Sequence, residues 1–438
     1  MLSHKDNERI TQVGAGTPLG ALFRSYWLPA LLSEELKPGG APVPVKLLGE
    51  RLVAFRNSGG KVGLVGEFCP HRGTSLALGR NDDCGLTCIY HGWAFDTDGS
   101  CTNMPSEPDY SKFKDTIKQK SYPIHEAGGL VWTYMGPAEE QPPFPNLIWT
   151  SLPDSHRMVA KVYQECNYLQ IWENEIDYMH AAFAHLALQE QDMKEGALST
   201  ELGINPSHPL VTSRNPLLTV EPTTYGFRNM FVGQSGEEDQ FILEAPILMP
   251  SFAYTPRVKE EDHLFHAYVP IDDHTTWSYD IHFTLDRPLN HDTQKERRGL
   301  WVDENYRKLY NKSNNYQQDR EMMKAGNFSG IVGISNQDHA VTESMGPIVD
   351  RSREHLGTSD VGVIALRRMI LRSLKRMEQG EKPLGLDPDI PMDKIYSEGV
   401  IAPKGVPWKE ACPLDPAFAP VKSEKAKSGQ DSTVAETI

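Results

Sequence analysis

The stretch Cys69-Pro-His71-Arg72-Gly73-Thr74, answered by Cys88-Ile-Tyr-His91-Gly92-Trp93, decides how this chain is read. As a spacing it is C-x-H, sixteen residues, then C-x-x-H. Two thiolates and two imidazoles on a pair of loops form the donor set of a [2Fe–2S] centre. In it Cys69 and Cys88 hold one iron and His71 and His91 the other, the histidines raising the potential above that of an all-cysteine cluster. A structural zinc site uses the same donors, but it normally pairs its cysteines first and its histidines later. Here each loop contributes one of each, and Gly73 and Gly92 follow closely so that backbone can crowd a metal. The spacing favours iron–sulfur over zinc.

Around the two loops, from Val43 to about Ala138, the chain reads as short β-rich runs broken by turns. Val45-Lys-Leu-Leu, Leu52-Val-Ala-Phe and Val62-Gly-Leu-Val are separated by Gly49 and Ser58-Gly-Gly. Gly129-Leu-Val-Trp-Thr-Tyr-Met-Gly136 is a buried strand bounded by glycines. The expectation is a small all-β domain over 43–150 with the cluster loops at one end. Residues 1–42 precede it as a helical segment expected to pack on the domain that follows, with an amphipathic helix at Thr17–Leu28 ended by Pro29.

The second informative stretch is Tyr168-Leu-Gln-Ile-Trp-Glu-Asn-Glu-Ile-Asp177-Tyr-Met-His180-Ala-Ala-Phe-Ala-His185. Leu169, Trp172, Ile176 and Phe183 recur at helical spacing and are expected to face a core. The two histidines are five residues apart, which on a continuous helix is a rotation of about 140°. Both therefore ligate one ion only if the helix distorts or ends between them. An isolated pair of this kind is more often semi-buried histidine without a metal. An iron–sulfur relay changes that weighing, because it implies a second redox centre.

Residues 210–285 alternate apolar and polar side chains between turns, predicting an antiparallel sheet around a pocket. The helix of 168–185 and another over 360–379 close it, the latter capped near Thr358-Ser-Asp360 and followed by Gly380. Residues 287–325 read as a solvated helical insertion. The fold class is α+β: the β domain, then a catalytic domain over 151–380 of helix-grip type, an extended arm over 381–420 and a disordered tail over 421–438.

The chain has 438 residues, enough for two or three domains. Its formal charge of −15 argues against nucleic acid and does not suggest an anionic membrane surface. No apolar run approaches the roughly eighteen residues of a membrane span, and the start is too charged for a signal peptide. The expected location is cytoplasmic. Six cysteines are too few for a disulfide framework, so Cys84, Cys101, Cys166 and Cys412 are expected to be ordinary thiols.

The cluster loops, with Tyr90-His91-Gly92-Trp93 and the turn Phe95-Asp96-Thr97-Asp98-Gly99, resemble the Rieske domain of the Rieske non-haem iron oxygenases. In the high-potential respiratory relatives the two loops share a disulfide, which Thr74 and Tyr90 cannot form, so the resemblance implies a lower-potential centre. Asp177-x-x-His180-x₄-His185 resembles the family's iron motif. It implies a mononuclear Fe(II) held by His180, His185 and a later carboxylate, Asp338 of the Gln337-Asp338 pair, with Glu343 the nearest rival. Two histidines and one carboxylate leave adjacent positions open for O₂. The likeness is strongest to the phthalate-dioxygenase-like α-type oxygenase subunits. It further implies trimers or stacked trimers, in which Asp177 bridges His180 to the neighbour's His91 for electron transfer.

With no G-x-G-x-x-G fingerprint in the chain, electrons from NAD(P)H are expected through a separate reductase. The expected reaction is hydroxylation of a substituted aromatic compound, with O- or N-dealkylation of an aromatic ether or amine as the alternative. A Rieske ferredoxin is disfavoured by length and by the second motif. The strand Phe241–Pro250 offers Leu243 and Glu244 where phthalate-type relatives often place an arginine, which leaves Arg214, Arg228 and Arg257 to supply a charge.

Overall fold

A computed structural model describes residues 2–83, 85–186, 199–200, 203–204, 207–256, 262–292, 298–325 and 327–420. Cys84, Arg257 and the tail 421–438 lie outside the described residues.

Residues 43–103 build two small antiparallel sheets that face each other. One runs Val43–Leu47, Glu50–Arg56, Val62–Gly66; the other runs Arg80–Asp82, Gly85–Thr87, Ala94–Phe95, Cys101–Asn103. Between them sits a separate small core of Val53, Phe55, Val65, Leu76, Leu86, Trp93 and Phe95, which also holds Cys69 and Cys88. The loops carrying these cysteines leave the ends of strands that pack on this core, so the sulfurs point inward from a rigid base.

The stretch 1–42 is less helical than expected. Helices span His4–Arg9 and Pro18–Arg24, the second capped by the Thr17 hydroxyl with Pro18 at its first position. Trp27–Leu32 is then a buried strand pairing Leu130–Tyr134, which in turn pairs Ile124–Ala127. Pro29 does not end a helix; it sits at a break in the strand register between Pro29 and Leu31, one of the places a sheet tolerates proline. This third sheet joins the main core through Trp27, Trp132 and Trp149, so the cluster domain is seated on the rest of the molecule by aromatic packing.

The catalytic part is one antiparallel sheet. Its order is Arg157–Gln164, Thr276–Phe283, His263–Pro270, Phe252–Thr255, Asp239–Leu248, Gly226–Ser235, Leu217–Pro222. Alternation sorts its two faces. On Gly226–Ser235, Phe227 and Phe231 join the main core and Asn229 donates to the Ile176 carbonyl at 2.7 Å, so these positions face the helices. Arg228 and Met230 face the opposite way, toward the C-terminal arm. That arm does not simply drape: Gly399–Pro403 adds to the sheet beside Asp239–Leu243. The expectation of an extended arm did not include this strand in the short Gly-Val-Ile-Ala run.

The helix Val361–Glu378 matches expectation, with Leu366, Met369, Ile370 and Leu374 buried, Lys375 and Arg376 in its last turn, and Gly380 beyond it at φ +74°. The region 287–325 is not wholly solvated. Among its described residues a 3₁₀ segment, Lys312–Gln317, and a short helix, Arg320–Ala325, stand between turns. Its Lys308, 5% exposed, reaches into the interior to pair with Glu343.

Candidate functional site

The two cluster loops are built alike. In the first, the Cys69 N–H donates to the Thr74 carbonyl and the Gly73 N–H donates back to the Cys69 carbonyl, both at 2.9 Å. In the second, the Cys88 N–H donates to the Trp93 carbonyl at 2.8 Å and the Gly92 N–H to the Cys88 carbonyl at 3.0 Å. Each turn closes on a glycine in the left-handed region, Gly73 at φ +78° and Gly92 at φ +74°. The result brings all four predicted donors to one place. Both cysteines are buried, while His71 and His91 are half-buried with ring centroids 4.5 Å apart. Trp93 stacks flat on His71 at 4.4 Å, and Tyr90 covers His91 at 3.8 Å.

These residues fit the cluster. Burial, and the Cys88 sulfur beside it, push the Cys69 thiol up to about 11; a thiolate pair is stable there only with a cation between the sulfurs. His91 Nδ1 is buried and has no partner among the described residues, as a metal-directed nitrogen would be. Burial, followed by the charges of His71 and Arg72, holds the His91 imidazole below its usual range, favouring the neutral ligating form.

The second site begins at a helix break. Tyr168–Ile176 ends at Asp177, whose backbone is extended (φ −78°, ψ 105°), and Tyr178–Ala184 starts afresh with the Asp177 carboxylate accepting the Met179 N–H at 2.8 Å. The helix then stops at Ala184, leaving His185 as its cap residue. The predicted interruption between the histidines is present, and the earlier break at Asp177 accompanies it. The break also re-aims the following turn: Leu169, Trp172 and Ile176 are buried as expected, but Phe183 is 55% exposed and lies against Phe328.

His180 Nε2 and His185 Nε2 lie 3.1 Å apart, and Asp338 Oδ1 is 3.3 Å from the first and 3.1 Å from the second. No other described group of three or more His, Cys, Asp or Glu side chains converges in this way. The outward nitrogens are held too. His180 Nδ1 donates to the Asp177 main-chain carbonyl at 2.5 Å and His185 Nδ1 to Gln337 Oε1 at 2.6 Å. Gln337 is itself fixed, donating to the Ile331 carbonyl at 2.7 Å. Both imidazoles are thereby set with a lone pair on Nε2, the arrangement that presents ligands to a metal. Asn174 donates to Asp338 Oδ1 at 2.9 Å. Burial opposes charge on Asp338, yet His185 and His180 hold it well below the usual carboxylate range. Burial would lower His180, but the same carboxylate raises it to about 9, a pull on a proton that a metal cation at this point would satisfy in its place.

Glu343 stands apart from this triad. It pairs with Lys308, takes the Glu165 N–H at 2.8 Å and the Tyr316 hydroxyl at 2.9 Å. Gln337 was visible in the sequence only as the neighbour of Asp338, and its hold on His185 has no motif of its own. Of the arginines considered for a substrate, Arg228 faces the wrong side, locked to Glu221 and Glu244, and Arg214 is exposed.

The Rieske [2Fe-2S] domain family matches residues 26–123, and the family described as LigXa C-terminal domain like matches residues 133–428. The fold and the two sites define an oxygenase: the chain belongs to the Rieske non-haem iron oxygenases, with a [2Fe–2S] cluster, a mononuclear iron and O₂ as co-substrate. Within that family it is similar to oxygenase subunits of multicomponent systems. It is 36% identical to the phthalate 4,5-dioxygenase oxygenase subunit of Pseudomonas putida, over 94% of each chain. It is 30% identical to the 5,5'-dehydrodivanillate O-demethylase oxygenase subunit of Sphingobium sp., over 92% of this chain and 88% of that one. The fold is shared with a solved structure of a Pseudomonas putida CBB5 NdmA mutant with caffeine, at a TM-score of 0.57 and 20% identity, covering 82% of this chain and 93% of that one.

Proposed function

We propose that this terminal oxygenase hydroxylates a substituted aromatic compound, using electrons from NAD(P)H delivered by a separate reductase. The observation that carries the reading is the convergence of His180, His185 and Asp338 on one point in a chain that also gathers Cys69, His71, Cys88 and His91. In this reading the first three residues hold the mononuclear iron and the other four the cluster. When bound, the iron supplies O₂ activation and the cluster supplies electrons. The protein's part is to fix ligand tautomers through Gln337 and the Asp177 carbonyl, and to keep water from the buried His185 side of the triad.

The likeness to phthalate dioxygenase supports an aromatic acid as substrate, and the likeness to an O-demethylase supports dealkylation as the second reading. A trimer is part of the proposal, with the Asp177 carboxylate linking His180 to His91 of the partner subunit. Exposed Phe68, Ile89 and Tyr90 around the cluster loops, and Phe183 and Phe328 beside the iron ligands, supply apolar surface for such a contact. No described helix is long and apolar enough to cross a membrane, and a cytoplasmic location is proposed with it. The test is a panel of aromatic acids, ethers and amines under NADH, a surrogate reductase and ¹⁸O₂, scored by mass. A phenol or diol carrying ¹⁸O supports hydroxylation, loss of a methyl group supports dealkylation, and no product from any aromatic compound refutes the proposal.

A further inference from the structure

A cavity of about 370 Å³ lies between the connector that follows the β domain, residues 142–147, and the C-terminal arm at residues 385–393. No residue lining it is a ligand proposed above or a hydrogen-bond partner of one. Its buried lining comes from Leu248, Met249 and Phe252 at the end of the strand Asp239–Leu248. Trp27 and Phe144 add two aromatic rings with centroids 5.8 Å apart. The volume falls among those of small-molecule sites, which run from about 300 to about 1,000 Å³.

Both walls are tied to the same short piece of chain. Trp27 Nε1 donates to the Pro142 carbonyl at 2.9 Å, and the hydroxyl of its neighbour Tyr26 donates to the Leu384 carbonyl at 2.7 Å. The polar tips of both rings are spent on fixing the walls. What the rings offer the cavity is their apolar faces.

The lining is rich in acceptors and poor in donors. Pro142, Pro143, Pro145, Pro388 and Pro391 have no N–H to give. Of the N–H groups that remain, Leu147 donates to the Pro145 carbonyl at 2.8 Å, Gly385 to the Thr224 carbonyl at 3.1 Å and Met249 to the Tyr225 carbonyl at 3.2 Å. The Asp389 N–H turns onto the Asp387 carboxylate at 3.0 Å. The charged side chains of the lining are Asp387, Asp389 and Asp393, with no lysine, arginine or histidine among them. None of the three acids forms an ion pair with a described residue. An adjoining hollow of about 580 Å³ shares Pro142, Pro143, Leu386 and Pro388, and carries Glu139, Glu140 and Glu381 against one base, Lys382.

Such a lining repels an anion, and it offers a neutral polar molecule few donors beyond the Asn146 amide. We propose that the cavity is a binding site for an organic ammonium ion with an aromatic or branched apolar body. The body fills the space against Trp27, Phe144 and Met249, and the cation faces Asp387, Asp389 and Asp393. The ring faces attract the cation as well. The acids are exposed, so each adds modestly, and burial of the apolar body supplies the larger share. The site is distinct from the iron centre, and its ligand is not the molecule oxidised there.

The test is calorimetry on the full chain with both metal sites loaded, using benzyltrimethylammonium as the probe, with benzyl alcohol and phenylacetate as its neutral and anionic counterparts. The ammonium ion is expected to bind once per chain with a Kd of about 1 mM or tighter, weakening as salt rises from about 50 to about 500 mM. The triple variant Asp387→Asn, Asp389→Asn, Asp393→Asn is expected to weaken it on the order of tenfold. Leu386→Trp, which fills the cavity, is expected to abolish it. Neither variant should move the Kd of benzyl alcohol or phenylacetate, or turnover of an aromatic substrate, by more than about twofold. The three acids are exposed, so the Asn variant keeps its fold even if Leu386→Trp does not. No binding of the ammonium ion, or a Kd unchanged by the Asn variant, overturns the proposal. So does an equal loss of the neutral or anionic probe in either variant. Displacement of the probe by the reductase, or by self-association of the chain at rising concentration, assigns the face to a protein contact and also overturns it.

Discussion

Asp338 and Glu343 lie five residues apart on one helix, and neutralising them should have opposite consequences. Glu343 is 2% exposed and is held by Lys308, the Glu165 N–H and the Tyr316 hydroxyl. Glu343→Gln preserves shape but removes the charge that offsets Lys308, which burial already drives to a lower pKa. Breaking one side of a buried pair costs about 3–5 kcal/mol, so the urea midpoint should fall markedly while the iron content of the folded fraction stays that of wild type. Asp338→Asn removes the carboxylate whose Oδ1 meets both Nε2 atoms and the Asn174 amide. Without it the two histidines can stay neutral and no unpaired buried charge is left, so the unfolding free energy should fall by less than the roughly 3–5 kcal/mol of the broken Lys308 pair. The mononuclear iron and turnover should be lost, with the cluster absorbance intact. Urea unfolding and metal analysis on the same preparations read both effects. Iron lost from Glu343→Gln, or iron and activity kept by Asp338→Asn, refutes the assignment.

Other outcomes follow from the same contacts. Gln337→Leu frees His185 Nδ1, and iron affinity measured by chelator competition should fall about 10–100-fold with the cluster unaffected. Cys69→Ser should bleach the visible absorption and lower its protein's thermal midpoint, because the small core of the β domain includes that residue. The His266–Glu175 pair predicts a pH effect: His266 is lowered by burial but raised by Glu175 and Asp280 to about 9, above its ordinary 6.5. A raised folded pKa gives stability that is fully present below about pH 6.5 and lost as pH climbs toward 9, so urea midpoints should decline over that window and His266→Gln should flatten the decline. Arg228→Met should reduce stability by removing the partner of Glu221 and Glu244, yet leave KM for aromatic acids unchanged, because its side chain lies on the far face of the sheet.

What could be read from the sequence follows the reach of each interaction. The convergence of Cys69, His71, Cys88 and His91 was legible because they sit within three residues of one another on two loops. The interruption near His185 was legible because helix geometry forbids a five-residue pair from sharing an ion. Its second part was not: nothing local announces that Asp177 breaks the helix to cap the next one, and Phe183 was consequently placed in a core it does not enter. Long-range pairings were the least visible. Trp27–Leu32 and Gly399–Pro403 are strands only because partners more than ninety residues away complete them. Lys308 and Arg298 stood in a stretch whose charge suggested solvent, and burial of charged side chains is set by what packs over them.

Analysis of iron and acid-labile sulfide in the active protein tests the central claim most directly. The account predicts about three irons and two sulfides per chain, falling to about two irons with unchanged sulfide in His180→Ala, whose visible spectrum should match wild type. Active protein without sulfide, or a His180→Ala variant that keeps its full iron content and turnover, would contradict it.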